Sequence, residues 1–259
     1  MTAEQFENEF AEFRDALRSF IYRLTANRDD MEDLAQDTYE KALRNLAGFE
    51  GRSALKTWVF SIALNLCRDH LKKQKRWKED FQDQCRTATL ESREIQGDMI
   101  EIARNSPQGR FLIKEHIDYC FTCLAKTRSL EEQVCVILKE MYAFKVREIT
   151  LVTELTEGQV KYHLSKARES LKRIFDERCS LIKKEGACWQ CSELNGMFNP
   201  QQSAEEQLRK IEMAQRAGQA DTEALLDLRF RLVEGIDPLK AEGFDFHNYM
   251  LENVPRHAK

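Results

Sequence analysis

Two pairs of cysteines are the residues of this sequence whose type and spacing best suit metal or redox chemistry. Cys120 and Cys123 lie in "CFTC", and Cys188 and Cys191 lie in "CWQC". Four thiolates in two such pairs are a usual ligand set for a structural zinc ion. The pattern therefore predicts one zinc-binding or redox-sensing site formed by these four residues. The alternative interpretation is that Cys120 and Cys123 are buried apolar side chains on helices, as free cysteines often are, and that Cys188 and Cys191 lie in a loose tail.

The surroundings of the second pair argue against an enzyme. A thiol–disulfide oxidoreductase places its C-x2-C motif after a strand, and no strand pattern precedes Cys188. No stretch approaches the ~20 apolar residues that cross a bilayer, and the acidic "MTAEQFENEFAEF" does not resemble a secretion signal. We therefore expect a cytoplasmic, non-enzymatic protein that has no membrane partner and keeps its 8 cysteines reduced.

Charged residues form local clusters, although the net charge of -4 does not suggest nucleic-acid binding by the chain as a whole. One cluster forms an acidic edge on a helical face and comprises Asp33, Gln36 and Asp37. A basic cluster lies within the run "RDHLKKQKRWK" and comprises Lys72, Lys73, Lys75 and Arg76. A second basic cluster lies on a later helix and comprises Lys161, Tyr162, Ser165, Lys166, Arg168 and Lys172.

Helices must position these residues, because the sequence holds only 10 glycines and 4 prolines while 32% of its residues are charged. This composition leaves little material for the turns of a β fold. We predict an all-α protein in which two small helical domains are joined by a flexible linker and followed by a C-terminal helical extension. The predicted boundaries are 1–78 for the first domain, 79–110 for the linker, 111–178 for the second domain and 179–259 for the extension.

The first domain is predicted to contain three helices. Apolar residues from Phe6 to Leu24 recur at steps of three and four, which is one face of a helix. The second helix is predicted to begin with Asp29 or Asp30 as its N-cap, and the third helix follows "AGFEGRS" with Ser53 as its cap.

The second domain has the pattern of a helix-turn-helix. A short helix near 147–152 precedes a turn, and Thr156 with Gln159 matches a capping box that opens the next helix. In such a motif the first turns of the second helix enter the major groove. We therefore predict base contacts by Lys161, Tyr162 and Ser165, and phosphate contacts by Lys166, Arg168 and Lys172. The alternative is a solvated charged face.

Two blocks resemble the extracytoplasmic-function class of RNA polymerase sigma factors. The first is "DDMEDLAQDTYEKALRNLAGFEGRSALKTWVFSIALNLCRDHLKK", which is similar to the family's "D-A-E-D-L-x-Q-[DE]-T-F" followed by "F-x-G-x-S-x-x-x-T-W-L-x-x-I-A-x-N". In that family this block binds polymerase and melts the promoter. The second block, about 111–175, resembles the helix-turn-helix domain that reads the upstream promoter element. The resemblance ends near residue 178 of 259.

The resemblance implies roles for particular residues of the first domain. It implies that Asp33, Gln36 and Asp37 contact a coiled coil of the polymerase's largest subunit. It further implies that a loop holds a base extruded from the non-template strand, with Phe49, Glu50, Arg52 and Ser53 as its lining, and that Asn65 contacts a nearby base or phosphate. We expect Lys72, Lys73, Lys75 and Arg76 to contact phosphates, because clustered cations gain by releasing DNA counterions.

The resemblance thus indicates an alternative sigma factor that binds core RNA polymerase and directs promoter-specific transcription initiation at minus-ten and minus-thirty-five elements. Promoter DNA and core polymerase are its expected partners, and an anti-sigma factor is a further candidate. The alternative hypothesis is a stand-alone helix-turn-helix transcriptional regulator with a metal- or redox-sensing cysteine tail. Such a regulator would bind specific duplex DNA without polymerase.

Overall fold

The computed structural model describes residues 1–72, 74, 76–78, 80–105, 113–178 and 221–257. The helices in these ranges are α1 (Ala3–Thr25), α2 (Arg28–Arg44), α3 (Leu55–Leu71), α4 (Phe81–Glu91), α5 (Arg93–Asn105), α6 (Ile113–Ala125), α7 (Leu130–Val136), α8 (Val146–Thr153), α9 (Glu157–Arg178), α10 (Thr222–Val233) and α11 (Phe244–His257). A π-helical turn at Ile137–Met141 continues α7, and short 3-10 turns occupy Leu46–Gly48 and Pro238–Lys240. The described part of the chain is therefore helical, which confirms the all-α prediction. None of its helices is long and apolar enough to span a membrane.

The chain divides into two compact units. Unit A comprises residues 1–76 and 128–167, and unit B comprises residues 77–127 and 168–259. Unit A is therefore assembled from two separate stretches of sequence. The domain boundaries given above remain a prediction that this grouping does not decide.

The core of unit A consists of aromatic side chains from α1 and α3. Phe20 and Phe60 are completely buried, and their ring centroids lie 5.1 Å apart. Tyr142 and Phe144, from the second stretch of the unit, complete this cluster: Tyr142 lies 6.1 Å from Phe20, and Phe144 lies 5.2 Å from Phe60. Each buried phenylalanine contributes about 1.5–3 kcal/mol relative to exposure. This packing, together with contacts between α3 and α8, holds the helix-turn-helix against the first three helices.

Two predicted helix starts are corrected by the structure. The N-cap of α2 is Asn27, whose side chain accepts a hydrogen bond from the Asp30 amide at 2.8 Å. Asp29 and Asp30 lie instead in the first turn, where carboxylates interact favourably with the helix dipole. The N-cap of α3 is Ala54, without a side-chain hydrogen bond, because the Ser53 hydroxyl donates to the Ala54 carbonyl at 3.2 Å.

Unit B includes two helices within the segment that the sequence predicted as a flexible linker. Helices α4 and α5 lie in 79–110, and both pack against α11. Ile95 and Met99, four residues apart on α5, are 1% and 4% exposed. Ile95, Met99 and Ile102 recur at steps of four and three, so a helical period is present in this segment, and the distant α11 packs against the helix.

The described part of the C-terminal extension is helical, as predicted. Helix α10 packs against α6, and the Phe230 ring stacks on Phe121 with centroids 4.8 Å apart. After α10, Asp237 caps a 3-10 turn that begins at Pro238, and the Asp237 carboxylate accepts from the Leu239 amide at 3.0 Å.

Candidate polymerase and DNA interfaces

The acidic edge on α2 lies on the surface, since Asp33, Gln36 and Asp37 are all exposed. Asp33 and Gln36 also line a groove of 490 Å³ between α1 and α2, whereas Asp37 is not among its lining residues. The buried side chains of Phe10 and Leu17 line the same groove. The structure thus brings two of the three candidate polymerase contacts to a concave surface with apolar and charged lining. Such a surface suits a protein partner, because charged rims set encounter rate and register.

Aromatic packing holds this α1–α2 groove open. The Tyr39 ring of α2 lies 5.8 Å from Phe6 and 5.2 Å from Phe10, both on α1. Burial, followed by the nearby carboxylate of Glu7, raises the pKa of Tyr39. Arg18 and Glu32 form an ion pair between the two helices at the groove. The spacing of α1 and α2 is therefore fixed by residues of the groove itself.

The predicted base-binding loop begins with an aromatic pair. The Phe49 ring lies 5.2 Å from the ring of Trp58, and both side chains are partly exposed. Gly51 has φ +69°, a left-handed conformation that glycine adopts without strain. Glu50 and Arg52 form an ion pair on the exposed side of the loop. The loop therefore presents charged groups and a supported aromatic surface close together.

Asn65 is partly buried on α3 and is engaged within the protein. Its side-chain oxygen accepts a hydrogen bond from the Arg68 guanidinium at 3.2 Å, and Arg68 also donates to the Thr153 carbonyl at 2.9 Å. Arg68 thus joins Asn65 to the end of α8. Arg68 is not among the predicted site residues, although it lies three residues after Asn65 on the same helix face.

The first basic cluster is divided in the structure. Lys72 is exposed and pairs with Asp69 at 2.7 Å, while Lys73 and Lys75 lie outside the described residues. Arg76 is partly buried, and its guanidinium donates to the Arg128 carbonyl at 2.8 Å and to the Gln133 side-chain oxygen at 2.6 Å. Arg76 is therefore engaged within unit A through two of its nitrogens, at a position where the sequence predicts a phosphate contact.

The helix-turn-helix has the predicted cap and turn. Helix α8 ends at Thr153, and its C-cap Glu154 has a left-handed conformation with φ 63°. The Thr156 hydroxyl accepts from the Gln159 amide at 3.3 Å, and the Gln159 side-chain oxygen accepts from the Thr156 amide at 2.9 Å. This reciprocal pair confirms the predicted capping box. It sets the start of α9 immediately before the predicted base-reading residues.

The predicted base-reading residues lie on the exposed face of α9. Lys161, Tyr162, Ser165 and Lys166 are all exposed, and 58% of the Tyr162 surface faces solvent. Lys161 pairs with Glu157 at 2.6 Å, one turn earlier on the same helix. Val160, Ala167 and Leu171 are buried on the opposite side. The amphipathic pattern thus leaves a basic and aromatic surface for a ligand.

The two remaining cations of the second basic cluster are paired with acidic side chains of α10. The Arg168 guanidinium lies 2.6 Å from Glu223 and 2.5 Å from Asp227. The Lys172 ammonium lies 3.5 Å from Glu223. These partners were not predicted, although the acidic pair is visible at a four-residue spacing in "TEALLDL".

The four cysteines proposed as metal ligands are divided between described and undescribed residues. Cys120 and Cys123 lie on α6, where Cys123 is 3% exposed and Cys120 is partly exposed. Cys188 and Cys191 lie outside the described residues. Within the described ranges, no group of three or more histidine, cysteine or acidic side chains is arranged to hold a metal ion. The four-thiolate site therefore remains a prediction.

The chain is similar to known proteins of one class. Residues 10–77 match the family model of Sigma-70 region 2. The chain is 32% identical over 162 residues to the RNA polymerase sigma factor HrpL of Pseudomonas syringae pv. syringae. This alignment covers 62% of this chain and 81% of that protein. It is 24% identical over 158 residues to the ECF RNA polymerase sigma factor SigX of Bacillus subtilis (strain 168). That alignment covers 61% of this chain and 77% of SigX. A solved structure of the sigma factor RpoE in complex with the anti-sigma factor NepR from Bartonella quintana has a TM-score of 0.46 and 24% identity, over 66% of this chain and 96% of that chain.

Proposed function

This chain belongs to the extracytoplasmic-function family of RNA polymerase sigma factors, and from that membership we propose how its surfaces act at a promoter. As an alternative sigma factor it binds core RNA polymerase and promoter DNA and directs transcription initiation. The relatives support this function and not that of a stand-alone helix-turn-helix regulator. We propose that the chain recognises a minus-ten element through its first domain and a minus-thirty-five element through α9, in the bacterial cytoplasm.

The acidic edge is the proposed polymerase contact. Asp33, Gln36 and Asp37 would face the polymerase, and the groove between α1 and α2 would receive apolar side chains beside them. An exposed acidic rim around an apolar concavity supports this assignment, because charge selects the partner while apolar burial holds it.

The loop before α3 is the proposed site for an unpaired base of the minus-ten element. A base that leaves the stack loses a few kcal/mol, and stacking on an aromatic side chain returns ~1–3 kcal/mol. The partly exposed Phe49–Trp58 pair offers such a surface, and Glu50, Arg52 and Ser53 offer polar contacts around it. Lys72, on the following helix end, would contact a phosphate.

The exposure of Tyr162 on α9 is the observation that carries the assignment of upstream-element recognition. Tyr162 is 58% exposed and lies between exposed Lys161 and Ser165 on the first turns of a capped helix, so most of its surface is open to a ligand. The first turns of the second helix in a helix-turn-helix are the turns that reach base edges. We therefore assign base contacts to Lys161, Tyr162 and Ser165, and a backbone contact to Lys166.

Charge reversal on α2 tests the proposed function. Asp33→Lys should weaken binding to core polymerase by roughly tenfold, since it places a like charge against a complementary surface, and run-off transcription should fall with it. Glu12→Lys, an exposed reversal on α1 that lies outside the groove lining, is the matched control. Binding that is unchanged in Asp33→Lys, or equally weakened in both variants, would refute the assignment.

A further inference from the structure

The basic end of α9 is covered by an acidic pair from the C-terminal extension. The Arg168 side chain donates to the Glu223 carboxylate at 2.6 and 3.0 Å and to Asp227 at 2.5 Å, while Lys172 lies 3.5 Å from Glu223. As a result, only 22% of the Arg168 side chain and 33% of the Lys172 side chain remain exposed. The two cations are four residues apart on α9, and the two acids are four residues apart on α10. The pairs therefore match in spacing as well as in charge.

An apolar interface sets this arrangement. Leu226 and Val233 of α10 are 0% and 1% exposed, and the Phe230 ring stacks on Phe121. The Arg168 guanidinium also lies 5.4 Å from the Phe230 ring centroid. Because these contacts hold the buried side of α10, the side chains of Glu223 and Asp227 are directed at α9.

The same cations cannot serve both partners. Carboxylates and DNA phosphates are oxyanions that accept the same N–H hydrogen bonds, and Arg168 already donates to both acids. In addition, α10 places two negative charges where a DNA backbone would approach. Contact between this end of α9 and DNA therefore requires the acidic pair to leave.

We propose that α10 is an autoinhibitory helix, in which Glu223 and Asp227 occupy the phosphate-binding positions of Arg168 and Lys172 until promoter DNA displaces them. The inference rests on the proposed role of α9 in DNA recognition. Because the ion pairs are partly exposed, each contributes modestly. The helix thus lowers promoter affinity without abolishing it, so that the C-terminal extension sets how strong an upstream element must be.

Neutralising the acidic pair in the full-length protein tests the proposal. The affinity of the holoenzyme for a fluorescent upstream-element duplex is compared for the wild type, Glu223→Gln/Asp227→Asn and a control, Glu101→Gln/Glu234→Gln. The control removes two exposed carboxylates from unit B that lie off the paired positions: Glu101 is on α5, and Glu234 follows the end of α10, seven residues after Asp227. We expect the test variant to bind DNA roughly 3–10-fold more tightly and the control to change by less than about twofold. Equal tightening in both variants would overturn the proposal.

Replacing the cations separates failure of this inference from failure of the proposed function. Arg168→Ala/Lys172→Ala should weaken DNA binding strongly in the neutralised background and only slightly in the wild type, where α10 already occupies both cations. If the cation variant weakens binding in the wild type and neutralising the acids changes nothing, α9 binds DNA but α10 does not inhibit it. If neither change affects binding and Lys161→Ala is also silent, the assignment of α9 to DNA is wrong.

Hydrogen exchange provides a measurement that needs no variant. Amides of 222–233 in the holoenzyme should exchange faster when the upstream duplex is added, because α10 leaves α9. Unchanged or slower exchange on DNA addition would show that the helix stays in place and would overturn the proposed displacement.

Discussion

Replacing Arg76 distinguishes a DNA contact from a structural clamp. The sequence indicated a phosphate contact, whereas the guanidinium donates to the Arg128 carbonyl at 2.8 Å and to Gln133 at 2.6 Å. Gln133 is completely buried, and its amide donates in turn to the Arg23 carbonyl at 2.9 Å. In Arg76→Ala two acceptors in a poorly hydrated region lose their charged donor.

The expected cost follows from these contacts. Hydrogen bonds from a charged donor contribute ~1.5–3 kcal/mol each. Part of this is offset because the guanidinium is desolvated, an effect that lowers the pKa of Arg76 to about 10. We therefore expect Arg76→Ala to lower the free energy of unfolding by about 2–4 kcal/mol, which corresponds to a decrease in Tm of roughly 4–16 °C.

Urea unfolding followed by circular dichroism measures this change. Lys72→Ala is the control, because Lys72 and its ion-pair partner Asp69 are both exposed to solvent, which screens their attraction; it should weaken DNA binding by the holoenzyme without shifting the unfolding midpoint. Arg76→Lys, which keeps the charge but not the planar fork, should fall between Arg76→Ala and the wild type. If Arg76→Ala unfolds like the wild type and weakens DNA binding as Lys72→Ala does, the structural role of Arg76 is refuted and a phosphate contact is supported.

Four further predictions concern other parts of the chain. Tyr162→Ala should change the relative use of promoters that differ in their upstream element, by about 1–3 kcal/mol per lost base contact; an equal loss on every promoter in run-off assays would contradict base reading. Gly51→Ala should reduce promoter opening, measured by permanganate footprinting, and lower stability by about 1 kcal/mol, since φ +69° is strained for alanine. Protein purified without chelator should carry about one zinc per chain by elemental analysis, and Cys188→Ser/Cys191→Ser should lose it; metal-free wild type would leave the thiols as packing. Burial raises the pKa of Cys67 to about 12, so the unfolded thiol ionises first and stability should decrease as the pH rises above about 9; the urea midpoint of Cys67→Ala should fall less steeply between pH 8 and 10.

Features with local causes could be predicted from the sequence. The capping box of α9 depends on two residues three positions apart, Thr156 and Gln159, and both hydrogen bonds form as expected. The exposed face of α9 follows from a helical period that is legible within one stretch. The same locality explains why the all-α class was evident from composition and spacing.

Features that depend on distant residues could not be predicted in this way. Arg76 looks like its lysine neighbours in sequence, and its burial depends on Gln133, 57 residues later. The acids that pair with Arg168 come 55 and 59 residues after it. Helix α5 has apolar residues at helical spacing, Ile95, Met99 and Ile102, but the sequence does not show that the distant α11 packs against it. In each case the sequence shows a residue's type but not the partner that determines its role.

The two-part construction of unit A has a consequence for synthesis on the ribosome. The amide of Gln133 must reach the Arg23 carbonyl, 110 residues earlier. At ~5–20 residues per second, translation of that interval takes roughly 6–22 s. Throughout this time the faces of Phe20 and Phe60 that later meet Tyr142 and Phe144 have no covering aromatic rings. The nascent N-terminal helices are therefore a natural client for a ribosome-associated chaperone, and a chain whose translation stops before residue 128 should be prone to aggregation.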